Sequence, residues 1–254
     1  MCEGAKNCKF AIMKKNREST FRFKHFSLSN SISAMKVGTD GVLLGAWATL
    51  PRRVPNANVL DVGCGTGVIG LMIAQRYPGA FVSCIDISED AVGECDANVK
   101  ASPFAERIAV QLADFKQFAC NKRFNLIVSN PPFFTERVLS PDGLRATARH
   151  DDSLPLPELM RRAKSLLADG GILALVLPAS RDNEALLEAS LAGLAPSRCC
   201  RVFTRVGKPS RRTLWEFAAS PDTPCVEHDL VIQNRTGDYA DEYKELLKDF
   251  YLAF

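Results

Sequence analysis

Between residues 57 and 220, short apolar runs alternate with longer segments of helical period. VLDVG (59–63), AFVSCID (80–86), RIAVQL (107–112), FNLIVS (124–129) and GILALVL (171–177) are apolar almost throughout. Such runs are expected of strands in a parallel sheet covered on both faces. GVIGLMIAQRY (67–77), EDAVGECDANVK (89–100), LPELMRRAKSLLA (156–168) and NEALLEASLAGL (183–194) predict helices around them. Ser88, followed by Glu89 and Asp90, predicts an N-cap. Asp169-Gly170-Gly171 predicts the stop of the helix over 156–168. CRVFTRV (200–206) and TLWEFAAS (213–220) predict two further strands. Their short link, GKPSRR, makes them an antiparallel hairpin at a sheet edge.

This order predicts an α/β fold: a doubly wound, Rossmann-like, seven-stranded, mostly parallel sheet with an antiparallel C-terminal hairpin. Residues 57–254 would form this catalytic domain. Residues 1–56 would be a short N-terminal extension packed on it, with FRFKHFSLS (21–29) as a strand and GVLLGAWATL (41–50) as a helix. The stretch from about 134 to 154 shows no clean period, and loops of that length are usually functional or mobile.

Composition narrows the class. Hydrophobic residues make up 46% of the 254, enough for a large core. No apolar run approaches the ~20 residues of a membrane span. The opening MCEGAKNCKF has no apolar signal-peptide core, so a cytoplasmic protein is expected. Nine cysteines without CxxC spacing predict free thiols and no metal site. The net charge of +3 is unevenly spread: residues 1–53 carry ten Lys or Arg against three acids, and Arg198, Arg201, Arg205, Lys208, Arg211 and Arg212 occur without an acid between 198 and 212. Basic clusters suit a polyanion.

Candidate chemistry sits where the predicted strands end. DVGCGTGVIG (61–70) spaces Gly63, Gly65 and Gly67 between a strand and a helix. Glycines there allow a tight turn and close approach of a ligand to backbone. A dehydrogenase fingerprint would space its third glycine one residue later. Asp86 closes the second strand, where a carboxylate can accept both hydroxyls of a ribose. After the third strand, Asp114 can accept an adenine amine while Phe115 packs against the ring. After the fourth come Asn130, Pro131, Pro132 and Phe133. Proline fixes its own φ and pushes the preceding residue extended, so this corner is stiff. An amide oxygen, an aimed carbonyl and a flat ring can grip a planar group carrying an amine.

Together, these motifs resemble the class I S-adenosylmethionine-dependent methyltransferases, and more narrowly the amino methyltransferases with an NPP-aromatic motif. The resemblance implies that Asp61 and the glycine turn flank the cofactor's methionine part, that Asp86 takes the ribose and Asp114 the adenine amine. Asn130 and Pro131 would accept the two N–H bonds of the amine, and Phe133 would stack on the base, worth ~1–3 kcal/mol per base. FRFKHFSLSNSISAMKVGTDGVLLGAWA (21–48), RATARHDDSLPLPELM (145–160) and KDFYLAF (248–254) are similar to the tRNA1(Val) adenine-N6 methyltransferase family. That likeness implies methylation of the adenosine just 3′ of the anticodon, position 37, with Lys36, Thr39 and Asp40 near the cofactor's methionine end. It also implies a tRNA anticodon stem-loop as partner; a monomer is expected. RNA contacts would come from Lys14, Lys15, Arg17, Arg22 and Lys24, from the 198–212 cluster, and from Arg145, Arg149 and His150. Phe133 stands where the family more often has Tyr, so any role for that hydroxyl is absent here. Two other readings compete: a protein glutamine-N5 methyltransferase, which uses the same corner on an amide, and a non-catalytic RNA-binding module.

Overall fold

The computed structural model describes residues 20–30, 37–51, 54–132, 154–219 and 224–254. Two short strands, β1 (Thr20–Arg22) and β2 (Ser27–Ser29), pair antiparallel. Helix α1 (Thr39–Trp47) follows, then β3 (Asn58–Val62), α2 (Val68–Arg76), β4 (Phe81–Asp86), α3 (Glu89–Lys100), β5 (Ile108–Leu112) and β6 (Phe124–Ser129). After these come α4 (Leu156–Leu166), β7 (Leu167–Pro178), α5 (Asp182–Leu191), β8 (Ala195–Arg205), β9 (Arg212–Ala218), β10 (Val226–Gln233) and α6 (Asp241–Leu247). Strands β3 to β10 form one sheet in the order β10-β8-β9-β7-β6-β3-β4-β5. Only β9 runs against its neighbours; the other pairs are parallel.

The apolar runs are buried on both faces, as parallel strands require. Successive side chains alternate between two cores. On β7, Ala174 and Val176 enter the core shared with α1, α2, α3 and α6. Leu173, Leu175 and Leu177 enter the core shared with α4 and α5. From β3 the chain winds outward through β4 and β5, then returns to lay β6 on the other side of β3. In an open α/β sheet, this switch point is where a crevice opens at the strands' carboxyl ends.

Helix α1 lies against α2 because two of its residues are glycines. A Cβ on Gly45 would stand 3.0 Å from Met72, and one on Gly41 3.2 Å from Val68. The far end of α1 is tied to the sheet by charge. Glu216 of β9, only 2% exposed, accepts hydrogen bonds from Thr49 N (2.7 Å) and Thr49 Oγ1 (2.9 Å). Arg198 of β8 approaches the same carboxylate at 3.2 Å and lies 3.8 Å over the Trp47 ring. Burial still holds the Glu216 carboxyl above its usual range, against the pull of that guanidinium.

Four sequence expectations need correction. Residues 21–29 are not one strand: Phe23 N–H donates to the Phe26 carbonyl, and the two rings stack at 4.5 Å, so the run folds into a hairpin. The sheet has eight strands rather than seven, because β10 pairs in parallel with β8. The β8–β9 hairpin is therefore covered and is not at the edge. Asp169-Gly170-Gly171 lies inside β7, not at a helix stop. Helix α4 closes with Leu167 N–H on the Ala163 carbonyl and turns straight into extended chain. Gly170, at φ +68, absorbs the register shift between Phe124 and Leu126.

Replacing Glu216 with Ala would leave Arg198 and Thr49 without their shared acceptor. The expected loss in urea unfolding is about 3 kcal/mol, the low end for breaking a buried pair because Arg198 keeps some solvent. Thr49→Ala removes one hydroxyl bond and should cost about 1 kcal/mol. Equal, small losses for both variants would mean that α1 is held by packing alone.

Candidate functional site

The site is built at the switch point. Strand β3 ends at Val62, and the next two N–H groups, of Gly63 and Cys64, both donate to the Ile85 carbonyl of β4 (2.9 and 3.0 Å). This bends the chain across the end of the neighbouring strand. Gly67, at φ +81, then starts α2 from a left-handed conformation. A Cβ there would sit 2.7 Å from Cys95 Sγ of α3, so both conformation and space demand glycine. Gly63 and Gly65 differ: nothing among the described residues lies within 4 Å of where their Cβ atoms would be. Their bare backbone faces open space at a helix N-terminus.

Asp61 lies beneath this turn and is fully buried. Its Oδ2 accepts from Gly70 N at 3.0 Å, while Oδ1 has no hydrogen-bond partner among the described residues. Burial, aided by nearby Cys95 and Asp86, pushes its pKa up to about 8, against the lowering effect of the Gly70 N–H. Asp86 stands at the end of β4. Its Oδ2 accepts from Gly65 N (2.9 Å) and its Oδ1 from Ser88 N (3.0 Å). One carboxylate thus joins the glycine turn to the start of α3, with lone pairs left on each oxygen. Ser88 caps α3 as expected, accepting from Ala91 N.

Across the switch, Ser129 Oγ donates to the Val62 carbonyl at 2.8 Å, locking the end of β6 to the end of β3. Asn130 follows, with its Oδ1 buried and lacking a partner among the described residues. Pro131 is buried and Pro132 exposed. A buried amide oxygen with nothing to accept is costly, unless a ligand supplies the donor.

Asp114 follows β5, and its Oδ1 accepts from Lys116 N at 2.9 Å. Phe115, expected from sequence to pack against the adenine ring, is 4% exposed and belongs to the α4–α5 core. Thr39 and Asp40 open α1, whose Gly41 rests on Val68 beside the glycine turn. Asp40 Oδ2 pairs with Arg212 Nε of β9 at 2.8 Å. The glycine turn, Asp86, Asp114 and Asn130 thus stand at the carboxyl ends of adjacent strands, and α1 brings Thr39 and Asp40 to the same end. Lys36 and Phe133 lie outside the described residues, as do Lys14, Lys15, Arg17, Arg145, Arg149 and His150.

Sequence reasoning missed the Arg212–Asp40 pair, Ser129 and the buried thiols of Cys64, Cys84 and Cys95 around the turn. Only Ser129 had a signal, its place just before NPP. Seven cysteines are free thiols among the described residues. Among those residues, no group of three His, Cys, Asp or Glu can hold a metal, and no helix is long and apolar enough to cross a membrane.

The backbone is similar to the crystal structure of a predicted O-methyltransferase from Agrobacterium tumefaciens (TM-score 0.63, 18% identity, 83% of this chain and 96% of that one). The family model described as methyltransferase small domain matches residues 35–195. Curated relatives reach further along the chain. The tRNA1(Val) (adenine(37)-N6)-methyltransferase of Vibrio cholerae serotype O1 is 40% identical over 242 residues, 94% of this chain and 99% of that protein. The protein of the same name from Phocaeicola vulgatus is 42% identical over 232 residues, 91% of this chain and 97% of its own length. Fold, family match and near end-to-end identity agree: the chain belongs to the methyltransferase small domain family and, within it, to the tRNA1(Val) (adenine(37)-N6)-methyltransferases.

Proposed function

We propose that this chain transfers a methyl group from S-adenosylmethionine to the exocyclic N6 amine of an adenosine in tRNA, at position 37 of tRNA1(Val). The observation that carries this reading is Asn130 Oδ1, a buried acceptor without a donor among the described residues. It lies across a single strand boundary from a glycine turn whose backbone faces open space.

The donor set fits the cofactor. Gly63 and Gly65 hold bare backbone against it while Gly67 makes the turn into α2 behind them, Asp86 accepts from its ribose and Asp114 from its adenine amine. Asp61, whose Oδ1 has no partner among the described residues, would lie beneath the methionine part, and Lys36, Thr39 and Asp40 are assigned to the same end. Bound there, the cofactor supplies an electrophilic methyl on a sulfonium. The remaining work belongs to the NPPF corner. The N6 lone pair of adenine is delocalised into the ring, so the amine is a poor nucleophile. Asn130 Oδ1 and the Pro131 carbonyl accept its two N–H bonds, which favours a pyramidal nitrogen with the lone pair directed outward. Positioning supplies much of such a rate, and the two acceptors stabilise the positive charge that develops. The Ser129–Val62 bond and the two prolines fix these acceptors beforehand, while Phe133 stacks on the swung-out base. The extra proton leaves to water afterwards, so no separate base is required.

We take residues 1–56 as an extension whose α1 completes the cofactor end of the catalytic domain 57–254. The packing of Gly41 and Gly45 on α2 supports this division. In this reading the protein works as a cytoplasmic monomer.

Incubation with labelled S-adenosylmethionine and total RNA lacking this modification should place label in N6-methyladenosine of a tRNA. Label in a release-factor-type peptide and in no nucleoside would move the chain to protein glutamine-N5 methylation. Asn130→Ala should lower kcat by about 10²–10³, the size of one lost transition-state contact, with cofactor affinity unchanged. Asp86→Ala should instead weaken cofactor binding, by roughly 10–100-fold for a lost charged hydrogen bond. The reverse pattern would exchange the two roles. Asp61 adds a pH dependence. Its folded pKa is raised from 3.8 to about 8, so between those values the unfolded chain releases a proton that the folded chain keeps. Its contribution to stability is therefore complete below pH 3.8 and declines as pH rises toward 8. Asp61→Asn should flatten that slope in unfolding measurements across this window; an unchanged slope would mean that Asp61 is already ionised.

A further inference from the structure

The six cations between residues 198 and 212 look alike in sequence but have different surroundings. Arg198 is spent on Trp47 and Glu216. Arg201 reaches the carboxylates of Glu227 and Asp229 on β10. Arg212 pairs with Asp40 at the start of α1. The remaining three, Arg205, Lys208 and Arg211, are exposed, and none has a salt bridge to a carboxylate among the described residues. Arg205 is the last residue of β8, and Lys208 and Arg211 lie on its connection to β9.

That connection has a defined shape and position. Lys208 N–H donates to the Arg205 carbonyl at 3.1 Å, Arg211 N–H to Val202 at 3.1 Å, and Val206 N–H to Gln233 of β10 at 3.2 Å. Gly207, at φ +78, makes the turn. Arg211 is also held from the other side, because its carbonyl accepts from Ala179 N. The cations are thus mounted on an ordered hairpin. Arg212 pairs with Pro178, three residues beyond Leu175, which pairs with Ser129. Since β9 is two strands from β6, the base of the hairpin stands roughly 10 Å to the side of Asn130, at 4.8 Å per strand. Arg205 is three residues beyond Val202, the partner of Arg212, so the tip extends about 10 Å further past the carboxyl ends.

We propose that Arg205, Lys208 and Arg211 form a phosphate-binding arm that grips the RNA backbone flanking the target adenosine. This rests on the RNA reading of the site. An adenosine swung into the NPPF corner leaves its neighbouring phosphates outside the crevice, on the side where the arm rises. Cations without carboxylate partners release counterions when they meet phosphate, whereas Arg198 and Arg201 would first have to break existing pairs. Arg212 is the root of the arm. Its pair with Asp40 fixes the hairpin to the helix that opens beside the cofactor turn.

The test is binding and methylation of a synthetic tRNA1(Val) anticodon stem-loop across a salt series. The comparison is wild type, the Arg205→Ala/Lys208→Ala/Arg211→Ala variant and an Arg205→Lys/Arg211→Lys variant. For three lost phosphate contacts at about 0.7 each, the slope of log Kd against log salt should fall by about 2. The KM for RNA should rise at least about 10-fold, from the same salt arithmetic. The S-adenosylmethionine Kd, the kcat at saturating RNA and the unfolding midpoint should hold, because the three side chains touch neither core nor cofactor turn. The lysine variant should keep the wild-type slope. Wild-type slope and KM in the alanine variant, with the RNA still methylated, would overturn the arm and leave the enzyme reading intact. A wild type that methylates no RNA and transfers to a peptide amide would overturn both.

Discussion

Gly70 N–H donates to Asp61 Oδ2 inside the protein, and the geometry of the site depends on that bond. It couples the last turn of a strand to the first turn of the helix that follows, so α2 cannot slide along β3. A Cβ on Gly70 would stand 2.7 Å from Cys84 Sγ, which leaves α2 directly on β4 with no spare layer. With α2 fixed, Gly67 must turn left-handed over Cys95, and Gly63 and Gly65 must present their backbone outward. With α2 fixed, α1 has a surface on which Gly41 and Gly45 can settle. The carboxylate pays for this with an oxygen that has no partner among the described residues and a proton it keeps at unusually high pH. An isolated buried charge would be far more costly.

The sequence showed much of the fold because parallel strands need apolar residues on both faces, and few other structures tolerate such runs. Five of them, and the helices between them, emerged close to where the pattern put them. What the pattern hid was local chemistry of another kind. VEHDLVIQ carries three charged or titratable residues in eight. It lacks the apolar pattern of the other strands, yet β8 supplies it with a backbone partner and with Arg201 as a countercharge. Asp169-Gly170-Gly171 has the composition of a helix stop, but the helix is already over at Leu166, and the glycines serve a shift in strand register instead. The candidate site was recoverable as a set of strand ends. Its wiring was not: that Arg212 meets Asp40 across 172 residues is a product of sheet order, which no local spacing encodes.

Asp86 shows why a ligand reading and a structural reading need not compete. Its two oxygens already hold Gly65 and Ser88, so the residue proposed to meet the ribose also closes the turn. Removing it would disturb a backbone as well as a contact. Asn130 is the opposite case. Nothing among the described residues uses its oxygen, and the backbone around it is held by Ser129 and the prolines. Roles in a site can be separated by asking which polar atoms the fold has already satisfied.

The eighth strand has a consequence for the protein's life in a crowded solution. A sheet that ended at β8 or β9 would offer a long row of unpaired amides beside apolar side chains, a template for another chain. Instead the sheet ends at β10, where Glu227 and Asp229 are exposed and draw Arg201 toward them. A second sheet approaching this margin would have to bury those carboxylates against its own backbone. The carboxylates of β10 thus guard this edge of the sheet against edge-to-edge aggregation.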